Sequence, residues 1–257
     1  MKITGNIITL NEEKNIKDCI ASLKQVCDEI IVVDSKSNDN TVLIAKELGA
    51  VVVEQTYLGD GPQKNVASQY SSNEWILSID ADERLDDDMI ASIKKLKGLS
   101  PEVEAFSFKR KNYIADRWIK YCGWYPDVCI RLYNKNKTQF RNVEGHSSVE
   151  ASKVKLLDGH IIHYSYQNYH DLLHKTNRFS TRGAKMFLKK NKKVNSFSPF
   201  THFLVAFIRK FFFQRGFLQG LDGFTISLTA AINSYMKYAK YIEMKKMNLS
   251  SNSLWEQ

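Results

Sequence analysis

Along the first hundred residues, short apolar runs of strand length alternate with stretches whose apolar side chains recur at helical spacing. Residues 3–10, ITGNIITL, read as a strand. Asn11-Glu12-Glu13 then opens a helical pattern on Ile16, Cys19, Ile20 and Leu23. Residues 29–34, EIIVVD, are a short, fully apolar strand that ends in an aspartate. SKSNDNT follows as a loop of turn and cap residues. A helix is expected over 41–48, stopped by Gly49. AVVVEQ reads as a third strand, Pro62 suits the first turn of a helix to about Tyr70, and WILSID reads as a fourth strand. Strands apolar on both faces, with helices between them, predict an α/β fold: an open, mostly parallel, Rossmann-like sheet with helices on both faces.

Beyond about residue 100 the texture changes. EAFSFKRKNYI, DVCIRLYN, TQFRNV and KVKLLDGHIIHYSY are expected to be strands of a mixed sheet, with YCGWYPD as a loop. From Asn168 the pattern turns helical and basic. NKKVNSFSP reads as a linker, FTHFLVAFIRKFFFQRGFLQG and a last helix to about Met244 follow, and MNLSSNSLWEQ reads as a frayed tail. The pattern divides the chain into 1–165, a basic amphipathic helical region 166–246, and a flexible tail 247–257.

Charge sharpens that division. The chain carries +9 overall, but residues 1–159 hold 22 basic and 24 acidic residues, whereas 160–257 hold 15 and 4. A polyanionic neighbour, nucleic acid or an anionic membrane, suits the second part. An apolar fraction of 43% is enough for a sizeable core. Cys19, Cys27, Cys122 and Cys129 lack CxxC spacing and read as free thiols. The N-terminal apolar run is too short for a signal peptide, and no apolar stretch is long enough for a transmembrane helix. No GxGxxG follows the first strand and no GxxxxGK[ST] occurs, so dinucleotide and P-loop sites lack support.

In open parallel sheets ligands bind at the carboxyl ends of the strands. That rule selects Thr9-Leu10-Asn11, Asp34-Ser35 and Asp80-Ala81-Asp82. Asp80 and Asp82 are two apart, so both carboxylates can reach one spot. Two such groups repel unless a positive charge stands by them, and a hard divalent cation supplies one. The bland alternative is a solvated strand-end turn. Asp86, Asp87 and Asp88 are different in kind: they precede MIASIKKLKGL and read as cap and dipole partners of a helix.

The order of ITLNEE, VVDSKSNDNT, GPQKNVA and SIDADE resembles the nucleotide-sugar domain of family 2 glycosyltransferases, which have the GT-A fold. Through GWYPDVCIRLYN, GHIIHYSY and the helical tail the chain is similar to lipopolysaccharide core β-1,4-glucosyltransferases that act on inner-core heptose. The resemblance implies that 1–165 is the catalytic domain and that the reaction is metal-dependent and inverting. It moves a hexose, with glucose expected, from a UDP-sugar to a lipopolysaccharide core or related glycan. Thr9, Asn11 and Glu13 would flank the uridine, Asp34 would accept a hydrogen bond from the uracil, and Lys64 and Arg131 would lie by the nucleotide. Asp80 and Asp82 match the DXD motif, which holds Mg²⁺ or Mn²⁺ against the donor diphosphate, with Asp82 as the direct ligand and His163 as a further one. The base that activates the acceptor hydroxyl is expected at Asp127, shortly before Arg131-Leu132, with Glu144 and Glu150 as rivals. NVEGHSSVE departs from the Val-His-Glu order common in related sequences, which leaves His146 and both glutamates without a firm counterpart.

Structural alternatives stand beside each role. Asp127 can cap a turn after Pro126, Lys64 can be an exposed helix lysine, and His163 can be a half-buried strand histidine. The tail can pack on the sheet or form a homodimer interface. The implied partners are a UDP-sugar, a glycan or glycolipid acceptor and an anionic membrane surface, with no nucleic acid. The implied location is cytoplasmic, peripheral on the inner face of the membrane. Other readings are a glycosyltransferase on a polysaccharide or protein acceptor, or a non-catalytic basic binding protein.

Overall fold

Residues Glu29–Asp34 (β2) show how the sheet comes to be covered twice. Ile30 and Val32 join a core with Ile16, Cys19, Ile20 and Leu23 of the helix Ile16–Leu23 (α1). Ile31 and Val33 instead pack with Ala67 of the helix Asp60–Tyr70 (α3). Neighbours on a strand point to opposite faces, so an uninterrupted apolar run needs a partner layer on each side. The computed structural model describes residues 1–142 and 147–247, and these form two compact units.

The first unit comprises Met1–Lys111 and Pro126–Tyr164. Besides β2, α1 and α3 it holds β1 (Ile3–Thr9), α2 (Thr41–Glu47), β3 (Val51–Glu54), β4 (Trp75–Asp80), β5 (Glu83–Leu85), α4 (Asp87–Leu96) and β8 (Asp127–Asn134). It also holds the greater part of β6 (Ala105–Ile114) and β9 (Val154–Tyr166). The strand order is β3-β2-β1-β4-β8-β6-β9-β5. β3, β2, β1 and β4 are parallel, and β8 lies antiparallel between β4 and β6. This is the expected α/β architecture. Its register pairs Thr9 with Asp34 and Ile8 with Asp80, so the ends of β1, β2 and β4 share one edge.

Two details differ from the sequence reading. Of TQFRNV, the described residues 138–142 contribute one bridge, Phe140 with Val149, rather than a strand; residues 143–146, with Glu144 and His146, lie outside the described residues. The three-residue β5, antiparallel to β9, was not expected. It is too short to show a period.

Asp86 does cap α4: its Oδ1 accepts the Met89 N–H at 2.9 Å. The same carboxylate accepts the His160 N–H at 2.8 Å, and Gly159 beside it has φ +101° with no room for a Cβ against Met89. The loss of this carboxylate therefore removes a cap and a tie to β9 together. Asp86→Ala is expected to lower stability by about 1–2 kcal/mol in urea denaturation. Asp87→Ala and Asp88→Ala, in the exposed first turn, should change it by no more than about 0.5 kcal/mol.

The second unit comprises Asn112–Tyr125 and the chain from Ser165. Its first segment carries β7 (Arg117–Trp118). Its helices are α5 (Tyr169–Lys189), α6 (Ser198–Ile208) and α7 (Gly220–Lys246); a π-helical turn, Arg209–Phe213, and a 3₁₀ turn, Gly216–Gln219, separate α6 from α7. Ile114, Ile119, Cys122, Leu172 and Ile226 form one small core, and Ala184, Tyr241 and Met244 another. Arg117 donates to both carboxylate oxygens of Asp222, whose Oδ1 also accepts the Tyr169 hydroxyl. The four cysteines are free thiols. No helix among the described residues is long and apolar enough to cross a membrane.

Candidate active site

At the edge shared by β1 and β2, side chains lock the loop after β2 in place. Asp34 is fully buried; its carboxylate accepts the Thr9 hydroxyl at 2.9 Å, the Ser37 N–H at 2.7 Å and the Ser37 hydroxyl. Asn11 sits at φ 56° and its side chain accepts the Asn38 N–H, while Glu13 accepts the Asn40 N–H. The structure therefore brings Thr9, Asn11, Glu13 and Asp34 together around residues 37–40. With three hydrogen bonds accepted, Asp34 braces that loop.

The end of β4 carries a series of alternating charges. Asp60 faces the Lys64 ammonium at 3.3 Å, and Lys64 faces Asp80 at 2.9 Å. The other oxygen of Asp80 meets Arg131 at 2.8 Å, and Arg131 meets Glu83 at 2.6 Å. Glu83 in turn faces Arg110 at 2.9 Å, and Arg110 reaches Asp127 at 2.7 Å. The cations Lys64 and Arg131 and the carboxylate of Glu83 are buried, whereas Asp80 and Asp127 are partly open. Burial pushes the Asp80 carboxyl up, but Arg131 and Lys64 together outweigh it and hold it well below the usual carboxylate range. Burial likewise opposes the Arg131 charge, and Asp80 and Glu83 overcome it, raising its pKa well above the ordinary value.

The alternative for Lys64 falls, and Arg131 and Asp80 take up protein partners. Lys64 is not an exposed helix lysine: it is 3% exposed and its ammonium also lies over the Phe140 ring. Arg131, expected beside the nucleotide, is sunk between Asp80 and Glu83. Asp80, expected to share a metal ion with Asp82, already has a protein cation on each oxygen.

Asp82 has a different neighbour. Its Oδ2 lies 3.4 Å from His163 Nε2, because β5 and β9 pair Glu83 with His163. Both side chains are partly open, at 24% and 19%. His160, three residues earlier on β9, turns instead to Asp86 at 3.1 Å. Among the described residues no three His, Cys, Asp or Glu side chains are grouped closely enough to cage a metal. One carboxylate and one imidazole nevertheless fit a hard or borderline divalent cation that keeps its remaining positions for phosphate oxygens and water.

Asp127 heads β8, and Arg110 holds it through Nε at 2.8 Å as well as through its terminal nitrogen. Glu150 is exposed and paired with Arg141. In the second unit Trp124 packs on Tyr166 and Tyr125 meets Trp118 edge-on. The sequence reading gave no role to Glu83, Arg110 or Asp60. Glu83 follows the two aspartates directly and was legible as acidic, but Arg110 lies inside KRK, where nothing separates one cation from the next.

Comparison with known proteins adds to this geometry. The model of the family described as Glycosyl transferase family 2 matches residues 6–118. The chain is 35% identical to an uncharacterized glycosyltransferase of Rickettsia typhi, over 98% of this chain and 90% of that one. It is 26% identical to the lipopolysaccharide core biosynthesis glycosyltransferase LpsC of Rhizobium meliloti, over 98% and 96%. Among solved structures it is similar to S. aureus TarS at a TM-score of 0.48 and 15% identity, over 96% of this chain and 92% of that one.

Proposed function

The chain belongs to glycosyltransferase family 2, and from that premise we propose that it is a metal-dependent, inverting hexosyltransferase with a UDP-sugar donor. Glucose is the expected sugar, and a lipopolysaccharide core or related surface glycan is the acceptor. The acceptor class draws support from the full-length likeness to the R. meliloti lipopolysaccharide core enzyme. A peripheral seat on the inner face of the cytoplasmic membrane completes the reading; the basic excess after residue 160 supports it.

One observation carries the proposal. At the end of β4 the carboxylates Asp80, Asp82 and Asp127 are partly open, as is Arg110 beside Asp127, and the cations Lys64 and Arg131 are buried. A diphosphate approaching that surface meets like charge unless a divalent cation mediates. Asp82 and His163 would hold the ion, which when bound supplies Lewis-acid stabilisation to a departing diphosphate. Asp80 is held ionised by its two partners and keeps Arg131 at the strand end. Asp127, oriented by Arg110, takes the proton of the attacking acceptor hydroxyl. A single displacement of this kind needs one base and no enzymatic nucleophile, which suits one oriented carboxylate at this edge.

The test is calorimetry of UDP with and without Mn²⁺. Wild type should bind UDP more tightly with the ion present. Asp82→Ala should lose most of that gain, on the order of 10–100-fold. An Asp82→Ala protein with wild-type UDP affinity in Mn²⁺ would remove the metal site from the reading.

A further inference from the structure

We infer that the exposed face of α6 and the π-helical turn after it docks onto a bilayer that carries anionic headgroups. The inference deepens the peripheral placement above and rests on it for its cellular meaning; the surface itself is read from the second unit alone. Over residues 198–213 the chain is helical and strongly apolar, yet it buries one residue, Pro199. Phe197, Phe200, Leu204, Val205, Phe213 and Leu221 are between 57% and 80% exposed. Phe197, Phe200 and Leu204 fall three and four apart, on one side of the helix. Single exposed apolar side chains are ordinary, but so many large ones on and beside one short helix mark a surface that meets something.

Charge identifies what it meets. Exposed Arg209 lies within the segment and exposed Arg215 just after it, and Lys189, Lys190, Lys192 and Lys193 precede it. No Asp or Glu occurs between Asp171 and Asp222. A second copy laid on this face by a twofold axis would set cation against cation, whereas an anionic bilayer complements both the apolar side chains and the charge. No helix of the described residues is long and apolar enough to cross a membrane, and the segment suits a surface, with the aromatic side chains at the boundary between headgroups and acyl chains. Each cation near such a surface contributes roughly fivefold in partitioning. Lys210 belongs to the fold instead, since its ammonium donates to the Cys122 carbonyl.

The experiment is co-sedimentation of the full chain with vesicles of phosphatidylcholine alone or mixed with phosphatidylglycerol. Wild type should bind the mixed vesicles, bind the neutral ones weakly, and release as salt rises. Phe200→Ser/Phe213→Ser/Leu221→Ser should weaken binding to mixed vesicles about tenfold or more. Lys190→Glu/Lys193→Glu should bring it down to the neutral-vesicle level. All five positions are exposed, so the variants should keep the wild-type circular dichroism. They should also keep the wild-type rate of UDP-sugar hydrolysis in solution, which separates failure of the surface from failure of the enzyme reading. Equal binding to both vesicle types, or variants that bind like wild type, would overturn the inference. So would a dimer in sedimentation equilibrium that the serine variant dissociates.

Discussion

Asp127→Asn is expected to stop sugar transfer while UDP and Mn²⁺ still bind as they do to wild type. The carboxylate stands at the head of β8 with about a third of its side chain open, and Arg110 fixes it with two nitrogens. Asparagine keeps the size and one acceptor oxygen but cannot take a proton. Loss of a positioned base lowers turnover on the order of 10²–10⁴-fold. UDP release in the presence of acceptor reports the loss, and calorimetry reports the intact donor site. Turnover retained at the wild-type rate would remove Asp127 as the base. Glu150, exposed and paired with Arg141, would then be the next carboxylate to test.

The second large effect is on folding. Glu83 is 0% exposed and sits between Arg110 and Arg131, and it also accepts the backbone N–H of Asp80. Glu83→Leu would leave two guanidinium groups facing each other with their shared counter-charge gone. Breaking a buried ion pair in this way costs about 3–5 kcal/mol. The urea midpoint should fall accordingly with little change in slope. Glu83→Gln, which keeps hydrogen-bond acceptance but not the charge, should fall between wild type and leucine. A Glu83→Leu protein with the wild-type midpoint would show that the two arginines find other partners, and Glu83 would lose its place at the centre of the series.

These residues also show where the sequence was readable. EIIVVD could be recognised as a doubly covered strand because its pattern has no polar face to spare. Asp86 was legible as a cap because capping is local: the acceptor and the N–H it serves lie three residues apart. Asp80 and Asp82 were legible as a pair for the same reason, through the two-residue period of a strand. What they would face was not. The cations on Asp80 come from Lys64, sixteen residues earlier on α3, and from Arg131 on a strand reached much later. An antiparallel register between β4 and β8 brings the second, and no short-range signal encodes that register. Lys64 was hidden by composition as well, since lysine is rarely buried and is read as surface by default. His163 was named as a metal ligand from resemblance; its approach to Asp82 depends on β5, three residues long.

The strand order carries a consequence for the growing polypeptide. β8 is made after β6 yet lies between β4 and β6, and β9 is made last yet lies between β6 and β5. A nascent chain on the ribosome can pair its first four strands as they emerge, but it holds Asp80 without Arg131 and Asp82 without His163. Both partners arrive only with the late strands β8 and β9. A product cut short before β8 therefore lacks the Arg131 partner of Asp80 and the His163 partner of Asp82.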